Sequence, residues 1–330
     1  MERFIVKLRF ISPLHLGGAG IGMETAEKFV RSDTLFSALC HALANVYGRE
    51  DAAEMLAGFG AGKPPFKISS AFPFKGETFF LPRPLVPPVT MQETADMAAH
   101  KELNRLSFVS LDVFRPWVRG EAVGMDPLPA MKERLAAAAV YHRVPRVQLD
   151  RVSCASGLFH AGLTVFGREA GLYCLLELTD EGWRTGLENA FTWLGESGLG
   201  GMRGLGCGRF VPEWGRPGAE WRGLWEPVSG GGAWCLLSLL HPAAPERKMP
   251  LREARYEIVT RGGWAASPFV PGQVRRKTCK MFAEGSVLPY QPAGCLVDVT
   301  PAGWAGSHPL YRYGYALAVP VEVKTQCAAG

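Results

Sequence analysis

Residues 195–210 read GESGLGGMRGLGCGRF, and half of the positions from 195 to 208 are glycine. Glycine has no Cβ, so it adopts positive φ readily and lets another backbone segment approach closely. Successive N–H groups in such a loop can form a concave nest that binds an anion. Arg203 and Arg209 add positive charge to the stretch. From composition alone, the alternative is a flexible surface connection.

The sequence on either side predicts that this loop joins the end of a helix to the start of a strand. Before the loop, apolar residues recur at helical spacing, namely Trp183, Leu187, Phe191 and Leu194. After it, residues 209–211 are typical of a short strand that Pro212 ends. Nucleotide-binding P-loops and dinucleotide fingerprints instead follow a strand and open a helix, and no frame of these glycines satisfies either motif. The context favours a long polyanion over a bound mononucleotide.

Composition limits the class of protein. The chain has 330 residues, enough for two domains, and a formal net charge of +5, so any basic surface must be local. We expect a cytoplasmic protein that has no membrane segment, because no signal-like start and no apolar run of membrane-spanning length occur. The eight cysteines contain no C-x-x-C pair, which predicts reduced thiols, no metal site and no cofactor.

Hydrophobic periodicity predicts the order of elements in the first two thirds of the chain. The predicted elements are a strand over 4–10, a helix capped by Ser32 or Asp33 with Leu35, Leu39, Leu43 and Val46 on its apolar face, a helix over 52–59, strands over 66–74, 78–81, 157–166 and 171–178, the helix over 181–194 and the last strand. When the short second helix is omitted and only two of the four strands between the long helices are counted, the order is strand, helix, strand, strand, helix, strand, as in ferredoxin-like (RRM-like) domains of the α+β class.

The same patterns predict two domains. The first covers residues 1–214 and contains a weakly patterned insertion at about 89–154, with helices predicted over 93–103 and 131–140. The second covers 233–330 and is mostly strands. Its predicted strands lie at 234–240, 256–259, 278–282, 296–299 and 315–323.

Few residues have the arrangement that catalysis needs. His15 lies in a second loop with Gly17 and Gly18, where an imidazole could act as a general acid or base. The same side chain could equally donate a hydrogen bond to a phosphate or to its own loop. No carboxylate pair and no Ser/His/Asp or Cys/His arrangement can be identified.

Two basic stretches are candidate nucleic-acid contacts. Residues 141–151 contain Arg143, Arg146 and Arg151 in an extended stretch, which could follow a phosphate backbone or be a solvated loop. Residues 275–277 with Lys280 form the densest positive run, which could contact RNA or protect an exposed strand edge.

Four motifs together carry a resemblance to a known family. They are residues 13–17 (PLHLG) after the first strand, 32–38 (SDTLFSA) at the first helix, 80–84 (FLPRP), and the glycine-rich stretch at 194–210. In this order they resemble the CRISPR RAMP superfamily, and within it the type III-A (Csm) effector subunit that holds the 5′ end of the CRISPR RNA (crRNA). The likeness extends from the N-terminus to about residue 320.

The resemblance implies two ferredoxin-like domains, with the glycine-rich loop between the second helix and the last strand of the first. It also implies binding of the repeat-derived 5′ handle of the crRNA, docking to the large polymerase-like subunit and to the neighbouring backbone RAMP subunit, and no catalytic activity. The family loop usually carries a Lys-Arg pair followed by serines. Here Met202 precedes Arg203, and Gly204 and Leu205 follow it, so one charge and the hydroxyl contacts are absent.

The expected RNA-binding residues follow from these motifs and the basic stretch. They are His15, Gly17, Gly18, Ser32, Arg143, Arg146, Arg151, Gly198, Gly200, Gly201, Arg203, Gly204, Gly206 and Arg209. One alternative is a metal-independent RAMP endoribonuclease that processes crRNA with His15 as general acid or base. Another is a protein-only scaffold whose positive patches face acidic partners.

Overall fold

The largest sheet combines strands from the beginning and from the end of the first two thirds of the chain. The computed structural model describes residues 1–17, 27, 29–90, 103–124, 128–228, 232–267, 270–306 and 308–322. Gly18, and the helix expected over 93–103 apart from its last residue, lie outside the described residues. The strands of the first part are β1 (Glu2–Phe10), β2 (Phe66–Ile68), β3 (Phe72–Lys75), β4 (Thr78–Pro82), β5 (Val89–Thr90), β6 (Phe108–Ser110), β7 (Ala122–Val123), β8 (Ala139–Leu149), β9 (Ser156–Phe166), β10 (Ala170–Leu178) and β11 (Phe210–Gly215).

The strand order in this sheet is β11-β1-β10-β3-β4-β6, and β2 pairs with another part of β10. All of these pairs are antiparallel, with Val6 of β1 opposite Cys174 of β10 and Trp214 of β11. Side chains alternate across β1, so Phe4, Val6 and Leu8 face one apolar core while Ile5 faces another. The sheet therefore separates two cores.

Helices cover one face of the sheet more densely than the other. They are α1 (Ser32–Val46), α2 (Arg49–Gly60), α3 (Leu111–Val118), α4 (Leu128–Ala138) and α5 (Arg184–Ser197). Helices α1 and α5 bury their apolar stripes against β1 and β10, and the predicted face of α1 is buried at Leu35, Leu39 and Leu43. Val46 is 38% exposed, because it lies at the last residue of α1. The glycine-rich loop joins α5 to β11.

The predicted cap of α1 is wrong. The helix begins at Ser32, but Arg31 is its N-cap and makes no side-chain capping bond. The Ser32 hydroxyl instead accepts a hydrogen bond from the Leu239 N–H at 3.0 Å, and Asp33 is fully buried. Both side chains are thus committed to the C-terminal part of the chain.

Two predicted strands differ from the observed ones. The single strand over 66–74 is split into β2 and β3, because Ser69, Ser70 and Ala71 donate their N–H groups to Leu175, Leu237 and Val30 rather than to one neighbouring strand. Pro212 does not end the last strand, which continues to Gly215. Strand β11 lies at the sheet edge and pairs only with β1, so the missing N–H of Pro212 breaks no second ladder.

A long hairpin occupies the end of the expected insertion. Helix α4 stops at Ala138, and β8 then pairs with β9 from Ala139 opposite Phe166 to Leu149 opposite Ser156. The stretch at 141–151 is therefore mostly one strand of a hairpin, as its extended pattern predicts, and residues 145–158 are exposed.

The C-terminal part contains short strands and, among its described residues from 232 to 322, no α-helix. The strands are β12 (Ala233–Leu236), β13 (Ile258–Arg261), β14 (Trp264–Ser267), β15 (Val270–Arg275), β16 (Cys279–Phe282), β17 (Val287–Leu288), β18 (Val297–Asp298), β19 (Tyr311–Arg312) and β20 (Ala318–Val321). Each predicted strand of this part overlaps an observed one. The predicted division between 214 and 233 stays a prediction, since one apolar core contains Phe72 and Tyr173 together with Leu237 and Val319.

A buried charge cluster joins α1 to the C-terminal part. The guanidinium of Arg261 donates to both carboxylate oxygens of Asp33 at 2.9 and 3.1 Å, and Arg312 donates to the same carboxylate. Arg261 also pairs with Glu27 at 3.0 Å. Burial alone raises the pKa of Asp33, but the charges and hydrogen bonds of the two arginines together hold it below its ordinary value of 3.8.

We expect Asp33→Ala to reduce the free energy of unfolding by about 3–5 kcal/mol, because it leaves buried guanidinium groups without their counterion. Urea denaturation followed by circular dichroism measures the loss. Glu213→Ala is the control, since it breaks an exposed pair with Arg9 and should cost under about 1 kcal/mol. Similar losses in the two variants would contradict the buried role of Asp33.

The stabilisation from Asp33 should disappear in acid. Its pKa is lowered in the folded state, so the contribution is present above the unfolded-state pKa and is lost as the pH falls through the folded-state pKa. We expect the difference in unfolding free energy between wild type and Asp33→Asn to shrink from about pH 5 down to about pH 2. A difference that stays constant over this range would show that the carboxylate charge is not the stabilising feature.

Candidate nucleic-acid interface

The glycine loop, residues 198–209, is folded onto the segment that leaves β1. The Gly201 N–H donates to the His15 carbonyl and the Gly208 N–H to the Pro13 carbonyl, both at 2.8 Å. The Arg209 N–H donates to the Ser12 hydroxyl at 2.8 Å. These three bonds attach both ends of the loop to residues 12–15, so the loop is not a loose surface connection.

Three positions of the loop must be glycine, because a backbone carbonyl lies too close to each of them to leave room for a Cβ. A Cβ at Gly200 would collide with the His15 carbonyl, and a Cβ at Gly208 with the Leu199 carbonyl. At Gly198 a Cβ would lie 2.5 Å from the Cys207 carbonyl oxygen. All three residues also have positive φ, between 79° and 89°. By contrast, a Cβ at Gly204 would meet nothing within 4 Å.

The apex of the loop is the part that can receive a ligand. Residues Arg203–Leu205 form a single exposed 3₁₀ turn, and the Leu205 side chain is 67% exposed. The N–H groups of Met202, Arg203 and Gly204 have no acceptor among the described residues. Met202 adopts the left-handed conformation, with φ 57° and ψ 23°. Adjacent open N–H groups in such a turn form the concave donor set that suits an anion.

Not every expected donor is available. The N–H groups of Gly198, Gly201 and Gly206 donate to the carbonyls of Leu194, His15 and Arg203 respectively. The anion-binding part of the loop is therefore narrower than the run of glycines predicts, because much of the loop backbone is used to hold its own shape.

His15 is a buried part of the loop's foundation. Its side chain is 5% exposed, and its Nδ1 lies 2.7 Å from the Gly162 carbonyl oxygen of β9. A carbonyl only accepts, so this bond assigns the proton to Nδ1. The imidazole also packs against Gly201, where a Cβ would lie 2.8 Å from its Cδ2. His15 thus connects the glycine loop to the base of the β8–β9 hairpin.

The other two expected residues of this region are placed differently. Gly17 is exposed, and its Cβ position is open. Ser32 is completely buried, with its N–H bonded to the Ser70 hydroxyl and its own hydroxyl bonded to Leu239. A direct RNA contact by Ser32 would require that burial to be undone, so we do not include Ser32 among the RNA-binding residues.

The hairpin brings one of its three arginines towards the loop. Burial raises the pKa of the Cys207 thiol, and the charge of Arg146 partly opposes this, which places Arg146 near the loop. Arg143 is an odd number of residues away on the same strand, so it lies on the opposite face of β8. Arg151 lies in the exposed turn at the tip of the hairpin.

A histidine absent from the sequence-based set also borders the loop. Burial lowers the pKa of His41 on α1, and the charge of Arg203 lowers it further. The imidazole lies 5.8 Å from the ring of Trp193 on α5, measured between centroids. No sequence signal could have joined His41 to Arg203, because they are far apart in the chain and meet only through the packing of α1 on α5.

The densest basic run is only partly a surface feature. Arg276 turns inward and donates to the Trp264 carbonyl at 3.0 Å.

Across the described residues, no group of three or more His, Cys, Asp or Glu side chains could hold a metal ion. In the same part of the chain, every helix is too short or too polar to span a bilayer.

Comparisons with known proteins show the family of the chain. The RAMP superfamily profile matches residues 7–211, and the CRISPR Csm4 C-terminal domain matches residues 229–321. A Csm4 protein of Thermococcus onnurineus is 28% identical over 306 residues, covering 89% of this chain and 92% of that protein. A Csm4 protein of Mycobacterium tuberculosis H37Rv is 24% identical over 303 residues, covering 90% and 91%.

Solved structures share the fold. A chain of the Csm3–Csm4 subcomplex in the type III-A CRISPR-Cas interference complex superposes with a TM-score of 0.66 at 16% identity, covering 98% of this chain and 100% of that one. A chain of the Csm1–Csm4 cassette in complex with cA4 gives 0.63 at 22% identity, covering 98% and 99%. Because the RAMP superfamily profile matches well over half of the chain, the chain belongs to the RAMP superfamily.

Proposed function

We propose that this chain is a non-catalytic subunit of a type III-A CRISPR (Csm) interference complex and holds the repeat-derived 5′ handle of the crRNA. One observation carries the proposal: the exposed apex of the glycine loop presents open N–H groups beside positive charge. Arg203 and Arg209 are exposed in the loop itself, and Arg146 lies near it on the hairpin. Donors and charges of this kind bind phosphates and need no particular base.

The arrangement suits an RNA backbone better than a single charged group. Arginines on two separate elements can neutralise successive phosphates, while the loop N–H groups bind one phosphate directly. Sequence preference would then come from bases that are unstacked in the handle and are read by stacking and by their edges. Arg143 and Arg151, farther along the hairpin, would provide secondary phosphate contacts.

We further propose that the chain docks the large polymerase-like subunit on one side and the neighbouring backbone RAMP subunit on the other. The similar folds come from a Csm1–Csm4 cassette and a Csm3–Csm4 subcomplex, which supports both contacts. We also propose two ferredoxin-like domains, at 1–214 and 233–330. Support for the first is its order β1, α1, β3, β10, α5, β11 with the sheet order β11-β1-β10-β3.

The position of His15 supports a binding role rather than catalysis. Its ring is buried, and the hydrogen bond to Gly162 leaves Nε2 as an acceptor beneath the loop rather than as a group in an open cleft. A general base must reach the proton that it abstracts. The endoribonuclease alternative therefore enters as an outcome of the following experiment.

We expect Arg203→Glu to weaken binding of handle RNA by about tenfold or more, because it replaces an attractive charge with a repulsive one beside the open N–H groups. Gel-shift titrations in EDTA at several salt concentrations measure the effect. The wild-type affinity should fall with salt, with a log–log slope of about −0.7 for each neutralised phosphate of a single strand. The variant should show a shallower slope.

Arg222→Glu is the matched control for this measurement. Arg222 is exposed, and it follows Trp221, which packs in the core on the sheet face opposite α1 and α5. Its charge reversal should leave handle binding close to wild type. If both variants lost the same affinity for handle RNA, the effect would come from the overall charge of the protein and not from the position of Arg203. Discrete cleavage products of repeat RNA that vanish with His15→Ala would instead establish the endoribonuclease.

Gly208→Ala should distort the loop and weaken handle binding, because Gly208 has φ +79° and a Cβ there would collide with the Leu199 carbonyl. Gly204→Ala is the paired control, since its Cβ position is open. We expect the first variant to lose about 1–3 kcal/mol of unfolding free energy and the second to change little. Denaturation and gel-shift titrations of both variants test this, and a harmless Gly208→Ala would contradict the described loop.

A further inference from the structure

A pocket of about 490 Å³ lies between α1, α2 and two C-terminal segments. This volume is within the range of small-molecule sites in proteins. Its floor consists of small and apolar side chains from the two helices, namely Cys40, Ala44, Ala52, Ala53, Leu56 and Ala57. The two helices therefore give the pocket a mainly apolar side.

The rim of the pocket is cationic and contains planar rings. Arg49, Arg276, His41, His308 and Tyr311 contribute to its lining, and no carboxylate occurs among the lining residues. The Ser37 hydroxyl is the polar group on the α1 side. A ligand that fits this lining has a flat, partly apolar body and a negative charge.

Arg276 has no carboxylate of its own. Its guanidinium donates to the Trp264 carbonyl and approaches the Ser37 hydroxyl at 3.5 Å, and no ion pair joins it to a described Asp or Glu. Burial, then the charges of Arg312 and Arg261, lower the pKa of Arg276 to about 10 despite the opposing charge of Asp33. Asp33 pairs with Arg261 and Arg312 rather than with Arg276.

One lining residue of the pocket, His41, lies near the glycine loop. His41 lines the pocket and also lies close enough to Arg203 for that charge to lower the pKa of its imidazole. The His41 ring also lies 5.8 Å from the ring of Trp193, measured between centroids, and Trp193 is on α5, the helix that ends at the start of the glycine loop. The pocket is therefore on the side of the molecule where α5 leads into the loop.

We propose that this pocket binds one unstacked nucleotide of the RNA held by the glycine loop, with its base on the apolar floor and its phosphate at the cationic rim. The inference rests on the proposed handle-binding function and assigns a second contact region to it. Aromatic and imidazole rings together with arginine planes are the groups on which unstacked RNA bases stack. The rings of His41, His308 and Tyr311 and the guanidinium of Arg276 supply that combination.

An acidic peptide from a partner is the competing occupant, since it could also match the charge. The nucleotide is favoured because three planar rings border the pocket and because one of them, His41, packs near Trp193 on the helix that leads into the glycine loop. A peptide would use neither feature.

The test is site-specific photocrosslinking with the full chain. Handle RNA is synthesised with 4-thiouridine at one position at a time, irradiated with the protein, and the crosslinked peptides are mapped by mass spectrometry. We expect one handle position to crosslink within residues 36–60 or 308–311, and other positions to crosslink to the glycine loop. Stacking of a base contributes enough that losing it should weaken handle binding roughly tenfold.

Ala53→Trp fills the pocket from an exposed position of α2, so it blocks the site without disturbing the core. We expect it to abolish the pocket crosslink and weaken binding about tenfold while the loop crosslinks remain. Ala136→Trp on α4 makes the same change at an exposed helical alanine outside the pocket, and it should behave as wild type. Circular dichroism verifies that both variants fold.

The possible results separate the two proposals. Loop crosslinks without any pocket crosslink, and normal binding by Ala53→Trp, would overturn this inference and leave the proposed function intact. Pocket crosslinks that persist when binding no longer depends on Arg203 would support the pocket and overturn the role of the loop. A protein crosslink into the pocket in the assembled complex, in place of the RNA crosslink, would identify a peptide-docking site and overturn the inference.

Discussion

The backbone of His15 lies against the glycine loop more closely than any side chain at Gly200 would allow. This contact determines where the other parts of the interface lie. It holds the loop on the segment that leaves β1, while the His15 imidazole reaches β9 and fixes the base of the hairpin that carries Arg146. The exposed N–H groups at the apex are thus presented by a rigid support. Preorganised donors bind an anion without an ordering cost at the moment of binding.

A second constraint, the buried carboxylate of Asp33, acts on the whole chain. It attracts Arg261 and Arg312 from the C-terminal part into the start of α1, and both halves of the molecule depend on that pairing. The same arrangement leaves Arg276 without a carboxylate beside an apolar pocket. One acidic side chain thus pairs with two guanidinium groups at the junction, while the third guanidinium group, that of Arg276, bonds to the Trp264 carbonyl.

Much of the fold could be predicted from periodicity, since α1 and α5 bury the apolar stripes that their spacing predicts, and β1, β9 and β10 lie where strands are predicted. The continuation of β11 past Pro212 could not be predicted, because it depends on the edge position of that strand. The break at Ser69–Ala71 could not be predicted either, because it depends on hydrogen bonds to distant carbonyls. At the candidate site, the glycines and Arg203 were recognisable. The burial of Ser32 and His15, the use of Gly198 and Gly206 in internal bonds, and the proximity of His41 depend on contacts between distant segments.

The sequence by itself determined the positions of β1, α1, α2, β4, β9, β10 and α5, the loop between α5 and β11, and the superfamily to which the chain belongs. These follow from local features: spacing of apolar residues, glycines where a backbone must approach, and motifs in a fixed order. Only the tertiary structure decided which loop N–H groups stay open, which arginines converge and where the pocket lies. Hydrogen-bond partners and charge neighbours are set by packing between segments, and a linear pattern does not contain that information.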